Sequence, residues 1–232
     1  MATHFAPAGI RFLKGLKRHN DRTWFADRKG IYEEQVQAPW LALIDEINEA
    51  LHDFAPESVK PAKKAMFRIY RDTRFSNDKR PYKNHVGAWW SPASLAKTSG
   101  GGFYAHVAGD EVVIAAGVYM PQPEQLLAIR RHMQQEHAAM RSMLADKKLR
   151  KLMPEFDNNP LQRMPKGFAA DDPASDLLLC RQWALSTRLL VDVATTPKLV
   201  PEIVKRFRAV APMVALLNTP LLRAAAPRRT LF

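Results

Sequence analysis

Between Lys60 and Lys83 the chain sets nine lysines and arginines against two carboxylates, Asp72 and Asp78, so more than half of the formal net charge of +12 lies in this segment. Its centre reads MFRIYRDTRFSNDKRPYK from Met66 to Lys83. Arginine offers a planar fork that matches carboxylate or phosphate, lysine adds a mobile point charge, and a neighbouring aspartate can orient the fork. Arg68, Arg71 and Arg74 are therefore candidates for clamping an anion, Lys79 and Lys83 for adding field, and Asp72 and Asp78 for aiming the cations. The chemistry this implies is recognition of a small anionic molecule that bears phosphate or carboxylate. The same side chains would equally serve as a structural ion-pair network locking a strand to its loop in an interaction module. A third use is nucleic-acid binding, with the basic segment following phosphates while Phe75, Trp89 or Trp90 stacks on bases.

Proton transfer needs a tunable proton close to the reacting atom, which singles out His106 and Tyr82 as candidate catalytic residues. Tyr119, Arg130 and Lys166 complete the candidate ligand set. Tyr119 shares the small-residue face of a hairpin with His106, Arg130 interrupts an apolar helical stripe, and Lys166 lies in a PKGF loop followed by Asp171 and Asp172. His132 and Glu136 stand four apart on a helix but lack a third ligand and the His-Glu-x-x-His arrangement, so no metal is expected. No cofactor is expected either: SGGGF at Ser99 to Phe103 has neither the Gly-Lys-Ser/Thr end of a phosphate loop nor dinucleotide-fingerprint spacing. There is no Gly-x-Ser-x-Gly elbow, and the single cysteine, Cys180 in LLLCRQW, reads as a buried thiol. These residues leave open whether the chain is an enzyme.

The elements that must hold those side chains follow from periodicity. Ile10, Leu13 and Leu16, then Trp24 and Phe25, recur at helical spacing, with Asn20 and Asp21 as N-caps between two short helices. Val36, Trp40, Leu43, Ile44, Ile47 and Leu51 continue the pattern, and Pro39 predicts a broken helical pair. After Lys64 the period drops to two, which predicts strands over Met66–Asp72, Asn84–Trp90, Gly102–Ala108, Glu111–Tyr119 and Gln182–Val191. In the first of these, alternation puts Phe67, Ile69 and Arg71 on one face, so Arg71 shares an apolar side and needs a carboxylate, a carbonyl or an anionic ligand. A two-residue type II′ turn at Gly109–Asp110 would set Val107, Ala105 and Phe103 opposite Val112, Ile114 and Ala116. Helices are predicted over Pro123–Leu144 and Lys198–Leu217, with a long loop from Asp157 to Pro173.

The expected architecture is α+β: a mostly antiparallel, twisted sheet of about five strands covered by N-terminal and C-terminal helices. All 232 residues are expected in a single domain, with a helical part over 1–58, the main sheet over 65–120, and helices, the long loop and a further strand over 123–232. With 47% apolar and 25% charged residues the composition is that of an ordinary globular protein. No stretch approaches the roughly 18 apolar residues of a membrane span, which predicts a cytoplasmic protein with no membrane partner. A homodimer is the default expectation for oligomeric state.

With these residues set out, RIYRDTRFSNDKRPYK closely resembles the signature of a bacterial family known as domain of unknown function 2461. Its pattern is met by Arg68, Arg71, Asp72, Arg74, Phe75, Asp78, Lys79 and Tyr82. FLKGLKRHNDRTWF near the start, YAHV at Tyr104–Val107, GVYMP at Gly117–Pro121 and PKGF followed by DDP extend the likeness over nearly the full length. The resemblance implies a bacterial, cytoplasmic setting and supports the choice of residues without naming a reaction.

Overall fold

The computed structural model describes residues 3–95 and 100–225. The helices in chain order are α1 (Pro7–Arg18), α2 (Arg22–Ala26), α3 (Lys29–Tyr32), α4 (Ala38–Leu51), α5 (Ala62–Ala65), α6 (Pro123–Ala145), α7 (Lys147–Leu152), α8 (Ser175–Leu178) and α9 (Leu199–Ala225). The strands are β1 (His85–Trp90), β2 (Gly101–Ala108), β3 (Glu111–Val118), β4 (Glu155–Asp157) and β5 (Trp183–Leu190). They form one antiparallel five-stranded sheet in the order β1-β2-β3-β5-β4, so the α+β expectation holds. The described residues divide into two compact units.

The first unit takes residues 3–90, 104–114 and 188–205. Ile10, Leu13 and Leu16 are buried on α1, as their spacing predicts. The break expected at Pro39 takes the form of a π-turn over Glu33–Gln37 that joins α3 to α4. Pro39 has no N–H to give to the carbonyl four residues back, and that carbonyl, of Gln35, projects instead against Gly9, where any Cβ would collide with it. Helix α4 buries Trp40, Leu43, Ile44, Ile47 and Leu51, and its Asn48 donates to the Lys60 carbonyl while accepting from Trp90 Nε1 at the end of β1.

Along the β2–β3 hairpin, Ala105, Val107, Val112 and Ile114 are all fully buried, and two residues connect the strands. The turn itself differs from the expected type II′, because Gly109 has no positive φ. Glycine is required there by packing: a Cβ on Gly109 would sit 2.7 Å from Lys14 N and 2.8 Å from Lys14 Cα on α1. Lys17, one turn further along α1, reaches Asp110 at 2.6 Å.

The predicted strand Met66–Asp72 is also corrected. This segment makes isolated antiparallel bridges, Met66 with Ala88 and Tyr70 with Tyr82, instead of a continuous strand. Three residues separate Met66 from Tyr70 while five separate Ala88 from Tyr82, so the returning arm bulges by two residues and the ladder cannot run through. The outer edge of Tyr82 is closed by a side chain. Asn20 Oδ1 accepts from Tyr82 N and Asn20 Nδ2 donates to Tyr82 O, both at 3.0 Å. Asn20 thus completes a β-like pairing, and Asp21 alone caps α2 by accepting from Trp24 N.

The second unit takes residues 91–95, 100–103, 115–187 and 206–225. Its strand β4, whose last residue is the first of the loop predicted from Asp157, pairs antiparallel with β5 through Glu155–Ser186, Phe156–Leu185 and Asp157–Ala184. Helix α9 carries Phe207, whose ring lies 5.0 Å from Phe103, and Asn218, whose amide pairs with both backbone groups of Gly101. Helix α6 faces α8 and the segment before it: Gln134 reaches Asp172 at 2.6 Å, and Arg141 reaches Asp176 and the Pro173 carbonyl, each at 2.5 Å.

Candidate functional site

The arms 69–71 and 81–83 are tied by Lys83 N donating to Ile69 O at 2.8 Å and Arg71 N donating to Pro81 O at 2.9 Å. They carry a tip over residues 72–80, which is where the candidate anion clamp sits. Ile69 is buried, and Arg71 beside it keeps a side chain only 25% exposed, as the alternation requires.

Within the tip the aspartates have taken the forks. Arg71 Nη1 donates to Asp78 Oδ2 at 2.6 Å, and Arg80 donates to the same carboxylate through Nε at 3.0 Å and Nη2 at 2.6 Å. Asp72 receives Arg74 in a bidentate pair, Nε at 3.0 Å and Nη2 at 2.7 Å. The lysines are held by carbonyls: Lys79 donates to Thr73 O at 3.0 Å and Lys83 to Arg68 O at 2.6 Å. Arg68 is exposed, and its guanidinium makes no hydrogen bond among the described residues. The hydrogen bonds from Arg74 hold the Asp72 carboxyl down at about 2, and those from Arg80 and Arg71 hold Asp78 far below the ordinary carboxylate range. Arg80, which sequence reading left out of the candidate set, is therefore half of the Asp78 clamp. Its place within the basic run was the available signal.

Tyr82 is buried beneath this network, its ring stacked on Phe25 at 4.1 Å with Tyr70 at 5.4 Å. Burial pushes its hydroxyl above the ordinary value. His106 lies on β2, half-buried, with Nδ1 2.9 Å from the Tyr104 hydroxyl and its ring stacked on His85 of β1 at 4.4 Å. Burial pushes His106 down to about 3 and His85 to about 4, with Lys83 adding to the effect on His85. Both imidazoles are thus neutral at pH 7, and either can accept a hydrogen bond or a proton. Gly87 makes room for the group, since a Cβ there would lie 3.2 Å from both His106 Cβ and the Tyr104 hydroxyl. His85 and Tyr104 were missed as site residues. The signal was that His85 and His106 occupy like-facing positions on neighbouring strands.

The other three candidates belong to the second unit. Tyr119 is 56% exposed, and Lys166 is exposed with no bonded partner among the described residues. Arg130 is only 7% exposed and donates through Nη2 to the Cys180 carbonyl at 2.9 Å, while its Nε is buried without a partner. Cys180 is the buried thiol the sequence predicts.

A family model described as a conserved hypothetical protein, DUF2461, matches residues 8–215. The chain belongs to this family. The DUF2461 match takes in the whole hairpin, the His85–His106–Tyr104 group, Tyr119, Arg130 and Lys166. Among curated proteins, none matches the sequence. No helix among the described residues is long and apolar enough to cross a membrane.

Proposed function

We propose that this DUF2461 protein binds a small phosphate- or carboxylate-bearing molecule at the tip of the 66–88 hairpin. The reading is carried by Asp78, one carboxylate shared between two guanidinium groups. From Arg68 to Lys83 there are six cations, Arg68, Arg71, Arg74, Lys79, Arg80 and Lys83, against Asp72 and Asp78, so internal pairing leaves a surplus of four positive charges. The aspartates then act as fixed orienters: they spend some N–H groups of each fork and hold the others still, which lowers the ordering cost of binding. Arg68 supplies an exposed fork that makes no hydrogen bond among the described residues, although its charge is felt by Asp72. Any proton transfer at the site falls to His106 or Tyr82, and burial holds the His106 imidazole neutral at pH 7, in the form that accepts a proton.

The test is a thermal-shift and calorimetric screen of inorganic phosphate, pyrophosphate, citrate and sugar phosphates against chloride at matched ionic strength. A ligand at about 100 times its Kd stabilises by about 2.7 kcal/mol. At this chain length that raises Tm by roughly 5–10 °C. The Arg68→Ala/Arg74→Ala double variant, which removes exposed forks, should lose the rise. No anion outperforming chloride would leave the hairpin a purely structural network.

One observation favours a polyanion instead. Phe75 at the tip is 95% exposed, with the Arg74 guanidinium 5.7 Å from its ring centroid. A solvent-facing phenyl on a cationic loop suits base stacking, worth about 1–3 kcal/mol per base. Anisotropy titrations with single-stranded oligonucleotides decide this, and a nucleic-acid hairpin requires affinity that falls steeply with salt and weakens in Phe75→Ala.

A further inference from the structure

We infer that Arg130 anchors an oxyanion site of its own within the second unit, one that takes a carboxylate or a phosphate group. A guanidinium stays protonated at every biological pH, so a buried one must find negative charge or bear a large desolvation cost. Elsewhere on α6, Gln134 is bonded to Asp172 and Arg141 to Asp176. Arg130 has not. It gives one N–H to the Cys180 carbonyl, keeps Nε buried and unpartnered, and makes no hydrogen bond through Nη1.

The surroundings deepen the deficit. The residue after Cys180 is another cation, Arg181, whose own donors go to the Asn159 carbonyl and side chain at 2.9 and 2.7 Å. The Cys180 thiol is pushed up to about 11 by burial and stays neutral, so it contributes no counter-charge. Among the described residues, both cations here therefore hydrogen-bond to neutral acceptors alone. An oxyanion accepting from the remaining N–H groups of Arg130 supplies what the fold leaves out.

The backbone around the same segment is held in costly conformations. Met120 (φ 48°) and Asn159 (φ 41°) are the two non-glycine residues with positive φ among those described. The first donates its N–H to the buried side chain of Gln182 at 3.4 Å, and the second is gripped by Arg181. Residues 180–182 thus bind the guanidinium on one side and two left-handed residues on the other. Such conformations persist where the surroundings over-determine them, and they gather at ligand clamps.

This inference does not depend on the hairpin reading, and the experiment separates them. The Nε–H resonance of Arg130 in 13C,15N-labelled full-length wild-type protein, assigned through its own side-chain carbons, reports directly on the site. Inorganic phosphate and, separately, acetate and succinate are titrated at constant ionic strength. The inference requires a saturable shift of that resonance by at least one of the two classes, retained in Arg68→Ala/Arg74→Ala, and at least a tenfold weaker anion-dependent rise in Tm for Arg130→Met. Which class saturates first identifies the group bound. If neither moves the resonance of the wild type, Arg130 is a clamp on the Cys180 carbonyl and the site does not exist. That outcome can be read even where Arg130→Met fails to fold.

Discussion

The imidazoles of His85 and His106 lie stacked, centroids 4.4 Å and planes 27° apart, on adjacent strands of the sheet. Among the described residues, neither ring has a carboxylate hydrogen-bonded to it. Glu111 and Asp110 raise the two pKa values weakly, while burial and the cations Lys83 and Arg188 lower them more. Protonating either ring would set a positive charge against its neighbour and against a cation.

A pH dependence follows with a definite sign. Both rings have folded-state values, about 4 and about 3, below the 6.5 of an unfolded histidine, so the unfolded chain takes up protons first as pH falls. The stabilisation is whole above pH ~6.5 and is lost progressively below it, down to about pH 4 for His85 and about pH 3 for His106. Halved for partial exposure, the loss by pH 4 is about 3 kcal/mol, at ~1.4 kcal/mol per unit of pKa. Urea unfolding at pH 7 and pH 4.5 measures it. His106→Asn, which keeps an acceptor near the Nδ1 position for Tyr104, should flatten the slope above pH 4.5. An unchanged slope would mean that the rings titrate freely.

Asp78 and Asp72 make ion pairs of different reach. Asp78 joins Arg71 on the first arm of the hairpin to Arg80 at the far end of the tip, whereas Asp72 binds only Arg74, two residues away within the tip. Asp78→Asn should therefore open the tip and Asp72→Asn should not. Limited trypsin digestion reads this as cleavage after Arg74 and Lys79, several-fold faster for Asp78→Asn than for the wild type, with Asp72→Asn close to wild type. Because hydrogen bonds to arginine hold Asp78 far below the usual carboxylate range, the protection should outlast mild acid.

Three glycines separate steric from conformational need. Gly117 combines φ +124° with a Cβ position that runs into the Trp183 carbonyl oxygen, so Gly117→Ala should cost at least ~3 kcal/mol. Gly109 lacks the positive φ, but a Cβ would meet the Lys14 backbone at 2.7–2.8 Å, so Gly109→Ala should cost about 1–3 kcal/mol by pushing the turn off α1. Gly30 in α3 has nothing within 4 Å of a Cβ, so Gly30→Ala should stabilise by about 0.5–1 kcal/mol. Chemical denaturation of the three variants gives the order, and a stable Gly109→Ala would show that the turn yields.

What sequence could reveal depended on whether a residue's partner was near in the chain or periodic with it. The β2–β3 face was legible because Phe103, Ala105 and Val107 alternate against Val112, Ile114 and Ala116, and all six are buried. Arg71 was legible as a cation on an apolar face, and its partner lies seven residues on. The broken strand at 66–72 was not, because the bulge belongs to the opposite arm and the closing amide of Asn20 comes from 62 residues away. The three-residue β4 is too short to show a period. Arg130 could be placed on an inner stripe, but its one hydrogen bond, to the Cys180 carbonyl, depends on the turn between α8 and β5, which alternation within α6 does not encode.

Asn218 does for Gly101 what Asn20 does for Tyr82, bracketing both backbone groups of one residue with an amide. Its Oδ1 accepts from Gly101 N at 2.7 Å and its Nδ2 donates to Gly101 O at 3.0 Å, with Asn218 only 2% exposed. The Asn20 pair is only partly buried. Removing a buried amide orphans a donor and an acceptor at about 1–3 kcal/mol each, whereas water can replace the partner at a half-open site. Asn218→Ala should therefore destabilise by roughly 2–4 kcal/mol, and Asn20→Ala by about 1 kcal/mol. Asn218→Asp, isosteric but unable to donate to the Gly101 carbonyl and carrying a buried charge, should be no better than Asn218→Ala at pH 7. Recovery of Asn218→Asp in mild acid, where its carboxyl regains a proton to donate, would single out the lost hydrogen bond over lost packing as the cause.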